Sequence, residues 1–169
     1  GGPGASVLSD TGNITLIGEE GGGSSGLGFL MSAGTTVSSV AGGIKVSANT
    51  VDIFGNIQAS SLDTTQLFPY DAGIRIELSN SANVTGGPLR LSDTKVDMIS
   101  TGVLTIGHPT CDTILVEIPV TRSTTTDVYL ITSGDVIFNP GTINTNGGNL
   151  LLDPGPSPMA VKQIGRAHV

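Results

Sequence analysis

The sequence predicts an all-β chain, and within that class a right-handed parallel β-helix, on three observations. The first is a phrase that keeps returning: a glycine or other small residue, then two apolar residues separated by a single one. It reads GNITL from Gly12, GGIKV from Gly42, GNIQA from Gly55, AGIRI from Ala72, GGPLRL from Gly86, TGVLTI from Thr101, SGDVIF from Ser133 and GGNLLL from Gly147. Its leading apolar residues, Ile14, Ile44, Ile57, Ile74, Leu89, Leu104, Val136 and Leu150, are spaced 30, 13, 17, 15, 15, 32 and 14 residues apart, mostly close to 15 or twice 15. One apolar-polar-apolar strand per unit at a near-fixed period is what stacked β-coils require. The second observation is composition: 25 glycines, no tryptophan, 4% aromatic, 12% charged and 37% hydrophobic residues, the last mostly β-branched or Leu. That is too apolar for a disordered linker, and it suits a slender aliphatic core. The third is the lack of helical periodicity. Gly, Pro, Asn or a β-branched residue interrupts every window long enough for three helical turns, so helix is not expected.

Period-two alternation places strands near Asn13–Ile17, Phe29–Met31, Ile44–Ala48, Val51–Phe54, Ile74–Leu78, Leu89–Leu91, Val96–Ile99, Val103–Ile106, Thr113–Ile118, Asp127–Ile131, Val136–Phe138 and Asn149–Leu152. Turn formers separate them, at Glu19–Gly23, Ala33-Gly34, Gly42-Gly43, Gly86-Gly87, Asn139-Pro140-Gly141 and Asn146-Gly147-Gly148. Two arrangements use strands this short. An antiparallel β-sandwich joins neighbours by tight hairpins, and Asn146-Gly147 is a hairpin dipeptide. A coil instead stacks each strand on its equivalent one turn later. In that arrangement Ile14, Leu16, Ile44, Val46, Ile74, Ile76, Leu104 and Ile106 form one apolar column at steps of 30 residues. Thr15, Lys45, Arg75 and Thr105 between them then face solvent.

Residues 1–163 read as one β-helical repeat segment, an internal piece of a larger protein, since Gly1–Gly4 already resembles a loop between strands and no signal peptide precedes it. Open strand edges at both ends predict fraying of such a piece in isolation. The tail is set apart. Ile164–Val169 reads IGRAHV, the one-frame translation of a common sequencing adapter, and is expected to be read-through in an assembled environmental sequence rather than native chain. The formal net charge of −7, with basic residues scattered singly, argues against binding to nucleic acid or anionic membranes. No apolar run reaches the ~18 residues of a membrane-spanning helix. Cys111 is the sole cysteine, so no internal disulfide forms.

Three stretches break the rhythm: the Gly-rich Glu19–Gly26, Ser60–Ala72 with Phe68 and Tyr70, and the hydroxyl-rich Thr121–Thr126. Insertions of this kind map to loops, where repeat proteins make contacts. The candidate contact residues are therefore Phe68, Tyr70, Thr121, Arg122, Thr124, Thr125 and Thr126. No catalytic, metal or cofactor residues are assigned. GEEGGGSSGLG at Gly18–Gly28 lacks the Lys-Ser/Thr of a phosphate loop, and Glu19-Glu20 lack the calcium nonapeptide pattern. The carboxylate pairs Asp93 with Asp97, flanking Lys95, and Asp10 with Glu19 could in principle serve a polysaccharide-cleaving β-helix, but neither carries an attendant His or Arg in a recognisable constellation. His108 before Pro109 reads as turn punctuation, and Cys111 has no sequence-adjacent His-Asn partner. Two sequons, at Asn13 and Asn83, are expected by chance in a chain this rich in Ser and Thr.

Leu89–Gly155, with LRLSDTKVDMISTGVLTIG and DVYLITSGDVIFNPGTINTNGGNLLLDPG, resembles the repeats of filamentous-haemagglutinin-like adhesins. GNITLIG and GGIKVSANTVDIFGNIQAS are similar to the Gly-rich passenger repeats of autotransporters. The resemblance implies a secreted or bacterial cell-surface element, associated with the outer membrane, that is adhesive or structural rather than enzymatic. It also implies flanking repeats of the same chain and host-surface glycans or proteins as partners. A fragment of a β-helical polysaccharide lyase or hydrolase, and a phage tail-fibre module, are the competing readings.

Overall fold

The computed structural model describes residues 4–20, 27–155 and 162–163. The Gly-rich stretch from Gly21 to Gly26 and the tail Ile164–Val169 lie outside the described residues. In chain order the strands are β1 (Ser6–Ser9), β2 (Ile14–Gly18), β3 (Phe29–Met31), β4 (Thr36–Ser39), β5 (Ile44–Ala48), β6 (Val51–Ile53), β7 (Asn56–Gln58), β8 (Thr64–Phe68), β9 (Ile76–Leu78) and β10 (Leu89–Leu91). A short helix, α1 (Asp93–Asp97), follows. The chain continues through β11 (Ile99–Ser100), β12 (Val103–Gly107), β13 (Ile114–Val116), β14 (Pro119–Thr121), β15 (Asp127–Ile131), β16 (Val136–Phe138), β17 (Thr142–Asn144), β18 (Leu150–Asp153) and β19 (Lys162–Gln163).

All pairings among these strands are parallel, which excludes the antiparallel sandwich for the described residues. The strands form five parallel sheets, which fall into three stacks by chain order, with β9 and β10 consecutive in the third. The first holds β1-β4-β7-β11 and, as a separate pair, β14-β17. The second is continuous, β2-β5-β8-β12-β15-β18. The third holds the pair β3-β6 and the run β10-β9-β13-β16-β19. Apart from β9 and β10, which are consecutive in the chain, successive strands of one stack are separated in sequence by strands of the other two, the long connection that parallel pairing demands.

The second stack carries the longest ladder. Ile14 lies opposite Ile44 and Leu16 opposite Val46, the expected step of 30 residues (14 to 44). Beyond this the expected column fails. Ile44 meets Thr65, a step of 21 (44 to 65), and Val46 meets Leu67. Thr65 meets Leu104, a step of 39 (65 to 104). Leu104 meets Val128 at a step of 24 (104 to 128), and Val128 meets Leu150 at 22 (128 to 150). Ile76 lies in β9 of the third stack, opposite Ile114 and Leu89, while Ile74 precedes that strand and is only half-buried. After the first step of 30 the steps lie near 22, except for the 39 where β9, β10 and α1 intervene. The 15-residue phrase marks strands regardless of stack, which is why its spacing does not give the step within one stack.

Burial follows register. Ile44, Leu67, Leu104, Ile106 and Leu130 are buried, as are Ile57 and Ile99 in the first stack and Ile76, Leu89 and Ile114 in the third. Their side chains form one core cluster. Thr15, Lys45 and Arg75 are exposed as expected. Thr105 is not: at 6% exposure it is covered between Gln66 and Tyr129, its in-register neighbours on the outer face. Neighbouring backbone segments approach closely enough to require glycine. A Cβ on Gly102 would fall 1.9 Å from the Ser61 carbonyl oxygen, and Gly107, with φ of 99°, leaves only 2.1 Å to that of Ile131.

Helix α1 corrects the expectation of no helix and displaces most of the strand expected at Val96–Ile99. Ser92 is its N-cap, with φ −82° and ψ 162°, and the Ser92 Oγ accepts from the Lys95 N–H at 3.3 Å. Asp93 in the first turn favours the same end, and Val96 buries the inner side.

Thr65 is the one polar residue in its column. It is fully buried, and among the described residues its hydroxyl has no hydrogen-bond partner. Removing an unpaired buried hydroxyl recovers its desolvation cost. Thr65→Val is expected to raise unfolding stability by about 1 kcal/mol, read as a higher urea midpoint at unchanged m-value.

Candidate functional site

The densest polar cluster among the described residues surrounds β10 and α1. No backbone ladder joins β6 to β10, so the Val51 carbonyl at that gap is taken up by side chains instead. Asn83 Nδ2 donates to Val51 O at 2.7 Å and to Arg90 O at 3.1 Å, while Asn83 Oδ1 accepts from the Arg90 N–H at 2.7 Å. Lys95 Nζ donates to the same Val51 O at 3.0 Å and pairs with Asp52 Oδ1 at 2.5 Å. Both amide protons of Asn83 are thus engaged internally, which is incompatible with a glycan on the Asn83 sequon in this conformation. On the neighbouring register, buried Glu77 binds Arg75 and, at 2.7 Å, the Nε of Arg90, its direct partner across β9 and β10.

Asp93 and Asp97, the candidate carboxylates, lie four residues apart and so share one side of α1. Asp93 Oδ1 accepts from the Thr121 N–H at 2.8 Å, and Asp97 Oδ1 lies 3.7 Å from the Arg122 Nη1. Both turn toward the β14 loop, whereas Lys95 turns to Asp52 on β6; the three do not flank a shared cleft. Arg122 is 2% exposed and donates from Nη1 to Val96 O and from Nη2 to Ile99 O. It bridges β11 to β14, where the backbone ladder of the first stack is interrupted. Burial lowers the Arg122 pKa, and the charges of Asp97 and then Asp93 oppose that shift.

The candidate contact residues divide. Phe68 is a correction: it ends β8, is 9% exposed, stacks on the His108 ring at 5.1 Å between centroids and carries Lys45 Nζ at 4.8 Å from its own centroid. Arg122 is spent internally as described, and Thr126 is fully buried with its hydroxyl donating to Thr124 O at 3.0 Å. Tyr70, Thr121, Thr124 and Thr125 are exposed. Tyr70 follows β8, and a hydrogen bond to Glu19 together with that carboxylate's charge raises its pKa. Thr121–Thr126 runs from the last residue of β14 to the start of β15, where Thr125 donates to Asn146 O at 2.9 Å and Asn146 Nδ2 to Ser123 O at 3.2 Å.

Asp10 and Glu19 do not meet as a pair: Asp10 lies beyond β1, and Glu19 turns to Tyr70. His108 Nδ1 accepts from the Thr110 N–H at 3.3 Å and lies 2.9 Å from the Thr110 hydroxyl, an arrangement internal to its turn. Cys111 is buried, and burial pushes its thiol up to about 11 against the smaller lowering effect of a hydrogen bond with the His108 backbone. Among the described residues no three His, Cys, Asp or Glu side chains gather as metal ligands, and no helix is long and apolar enough to cross a membrane.

Sequence reasoning missed the clamp around Val51 because its members, Asp52, Asn83 and Lys95, belong to three separate segments. The legible signal was Ser92-Asp93, a helix N-cap followed by an acidic first turn. All five Lys and Arg side chains that the structure describes are engaged: Arg75, Arg90, Lys95 and Arg122 with carboxylates, and Lys45 with Phe68. Comparison with family models, curated proteins and solved structures returns no match.

Truncating Arg122 leaves the Ile99 carbonyl without its donor and takes from the Val96 carbonyl one of two, the other being the Met98 N–H. Arg122→Ala is expected to cost about 2–4 kcal/mol of unfolding stability, measured by urea unfolding. Cys111 gives a pH signature. Its folded pKa of about 11 lies above the ordinary 9.0, so as pH rises the unfolded chain ionises first. Stability should therefore fall between about 9 and about 11, and that fall should be shallower in Cys111→Ala; thermal unfolding across this range checks both.

Proposed function

We propose that this chain is a segment of a right-handed parallel β-helix, acting as a stiff structural and adhesive element of a secreted or cell-surface bacterial protein of the filamentous-haemagglutinin-like kind. The observation that carries the reading is the continuous in-register ladder of the second stack, from Ile14 through Ile44, Thr65, Leu104 and Val128 to Leu150. A ladder of this kind resists bending because every layer is hydrogen-bonded to the next along the stacking direction. Each additional coil lengthens it by about 4.8 Å. The charged side chains around α1 support a structural role in place of chemistry, since they bond to backbone carbonyls and to one another.

In this reading contact is made by exposed hydroxyls and one aromatic ring at the corners of the coil: Tyr70 at one, and Thr121, Thr124 and Thr125 at another. Their ligands are host-surface glycans or proteins, held through many weak hydrogen bonds and a ring face suited to a sugar. The net charge of −7 sets a preference for neutral or cationic surfaces over anionic ones.

The test is retention of the purified chain on glycan-coated surfaces, with a parallel assay for new reducing ends from acidic polysaccharides. Tyr70→Ala combined with Thr124→Ala and Thr125→Ala should lower retention at least several-fold while the far-ultraviolet dichroism stays unchanged. Retention indifferent to these changes would remove the contact assignment. Polysaccharide cleavage that is lost in Asp93→Asn or Asp97→Asn would replace adhesion with catalysis.

A further inference from the structure

We propose that Lys95 and Asn83 join through an intramolecular isopeptide bond, with Asp52 as the proton carrier. Three features converge on it. Lys95 Nζ and Asn83 Nδ2 donate to the same two oxygens, Val51 O at 3.0 and 2.7 Å and Arg90 O at 3.5 and 3.1 Å, which seats the amine beside the side-chain amide. The Asp52 carboxylate lies 2.5 Å from Nζ, placed to take a proton from it. The Asn83 carbonyl is polarised by the Arg90 N–H at 2.7 Å, a donor aimed where negative charge develops when that carbonyl is attacked. The cluster is mostly sheltered, with the Lys95 and Asp52 side chains 14% and 24% exposed. Held geometry of this kind replaces the improbable encounter of a lysine and an amide in solution.

The chemistry balances without a further reagent. Asp52 removes a proton from the Lys95 ammonium, and the freed amine attacks Asn83 Cγ, forming the C–N bond and placing negative charge on Oδ1 against the Arg90 N–H. The attacking nitrogen gives up a second proton, relayed through Asp52 to Nδ2. The Cγ–Nδ2 bond then breaks, the carbonyl reforms, and the nitrogen departs as ammonium with the proton first taken. Asp52 ends as a carboxylate. The product amide keeps one N–H, enough for the Val51 carbonyl that two donors share beforehand, and its oxygen still accepts from Arg90. The link encloses β10 and anchors it at the position where the third stack lacks a backbone ladder to β6.

Intact mass spectrometry of the purified full chain decides the matter. The expected mass is that of the sequence less one ammonia, with peptide mapping recovering the Lys95 and Asn83 peptides as one branched species. Lys95→Arg and Asp52→Asn should each restore the full sequence mass. The wild-type measurement stands even if a variant fails to fold. An unmodified mass for the wild-type chain overturns the proposal. So does a loss of water in place of ammonia, which would mark a Lys95–Asp52 amide, and so does an ammonia loss that maps to a succinimide at Asn146-Gly147. The outcome is independent of whether the surface of the protein is adhesive.

Discussion

A parallel stack constrains its sequence more severely than an antiparallel one, because each strand must return to the same register after an excursion through two other stacks. Side chains alternate faces at period two, so a return displaced by one residue would turn every buried side chain outward. The excursions here have unequal lengths, yet Ile44, Thr65, Leu104 and Val128 still fall on one line in the second stack. Length is absorbed at the corners and in the third stack, where β10 enters as an extra strand beneath β9. The ladder itself is kept.

Where the ladder is broken, side chains stand in for the backbone. Strands β6 and β10 are joined through Asn83 and Lys95, and β11 and β14 through Arg122. In both places a carbonyl that would have met a strand N–H meets an amide, ammonium or guanidinium group. The substitution satisfies the oxygen but buries charge, and it works only because Asp52 and Asp97 lie beside the cations. The same logic explains the N-cap of α1: Ser92 supplies an acceptor where the chain leaves the sheet. Polar chemistry in this protein thus gathers at irregularities of the stack rather than on its smooth faces.

That distribution also decides what was legible in the sequence. Strand character and the first layer of stacking were, since Ile14-Thr15-Leu16 and Ile44-Lys45-Val46 repeat both pattern and spacing. The next layer was hidden twice over. Thr65 occupies a core position without an apolar side chain, while Ile76, which keeps the 30-residue rhythm, belongs to a different stack. Phe68 reads as an exposed aromatic in an irregular stretch, but His108 and Lys45 arrive from other layers to cover it. Period-two alternation around Val96 suggested a strand, and the Ser92-Asp93 cap overrode it. Of the residues expected to make surface contacts, those exposed in the structure are Tyr70, Thr121, Thr124 and Thr125; Phe68 and Arg122 are held inside by partners distant in sequence, and the buried Thr126 hydroxyl bonds to nearby Thr124.

The irregular layer at β9, β10 and α1 concentrates the unusual features of the described residues: the longest step, the helix, the buried Glu77 and the Val51 clamp. Inserted segments elsewhere could add length at a corner and leave the stacks untouched. This one adds a strand to one stack without adding one to the second, so its layer cannot be completed by backbone pairing alone. Ion pairs and amide bridges must hold it, and each depends on a geometry that a frayed neighbour would loosen. Arg90 links two of these sets, accepting Asn83 at its backbone while its guanidinium holds Glu77. The segment therefore gains rigidity only as a unit, with its polar groups assembled together.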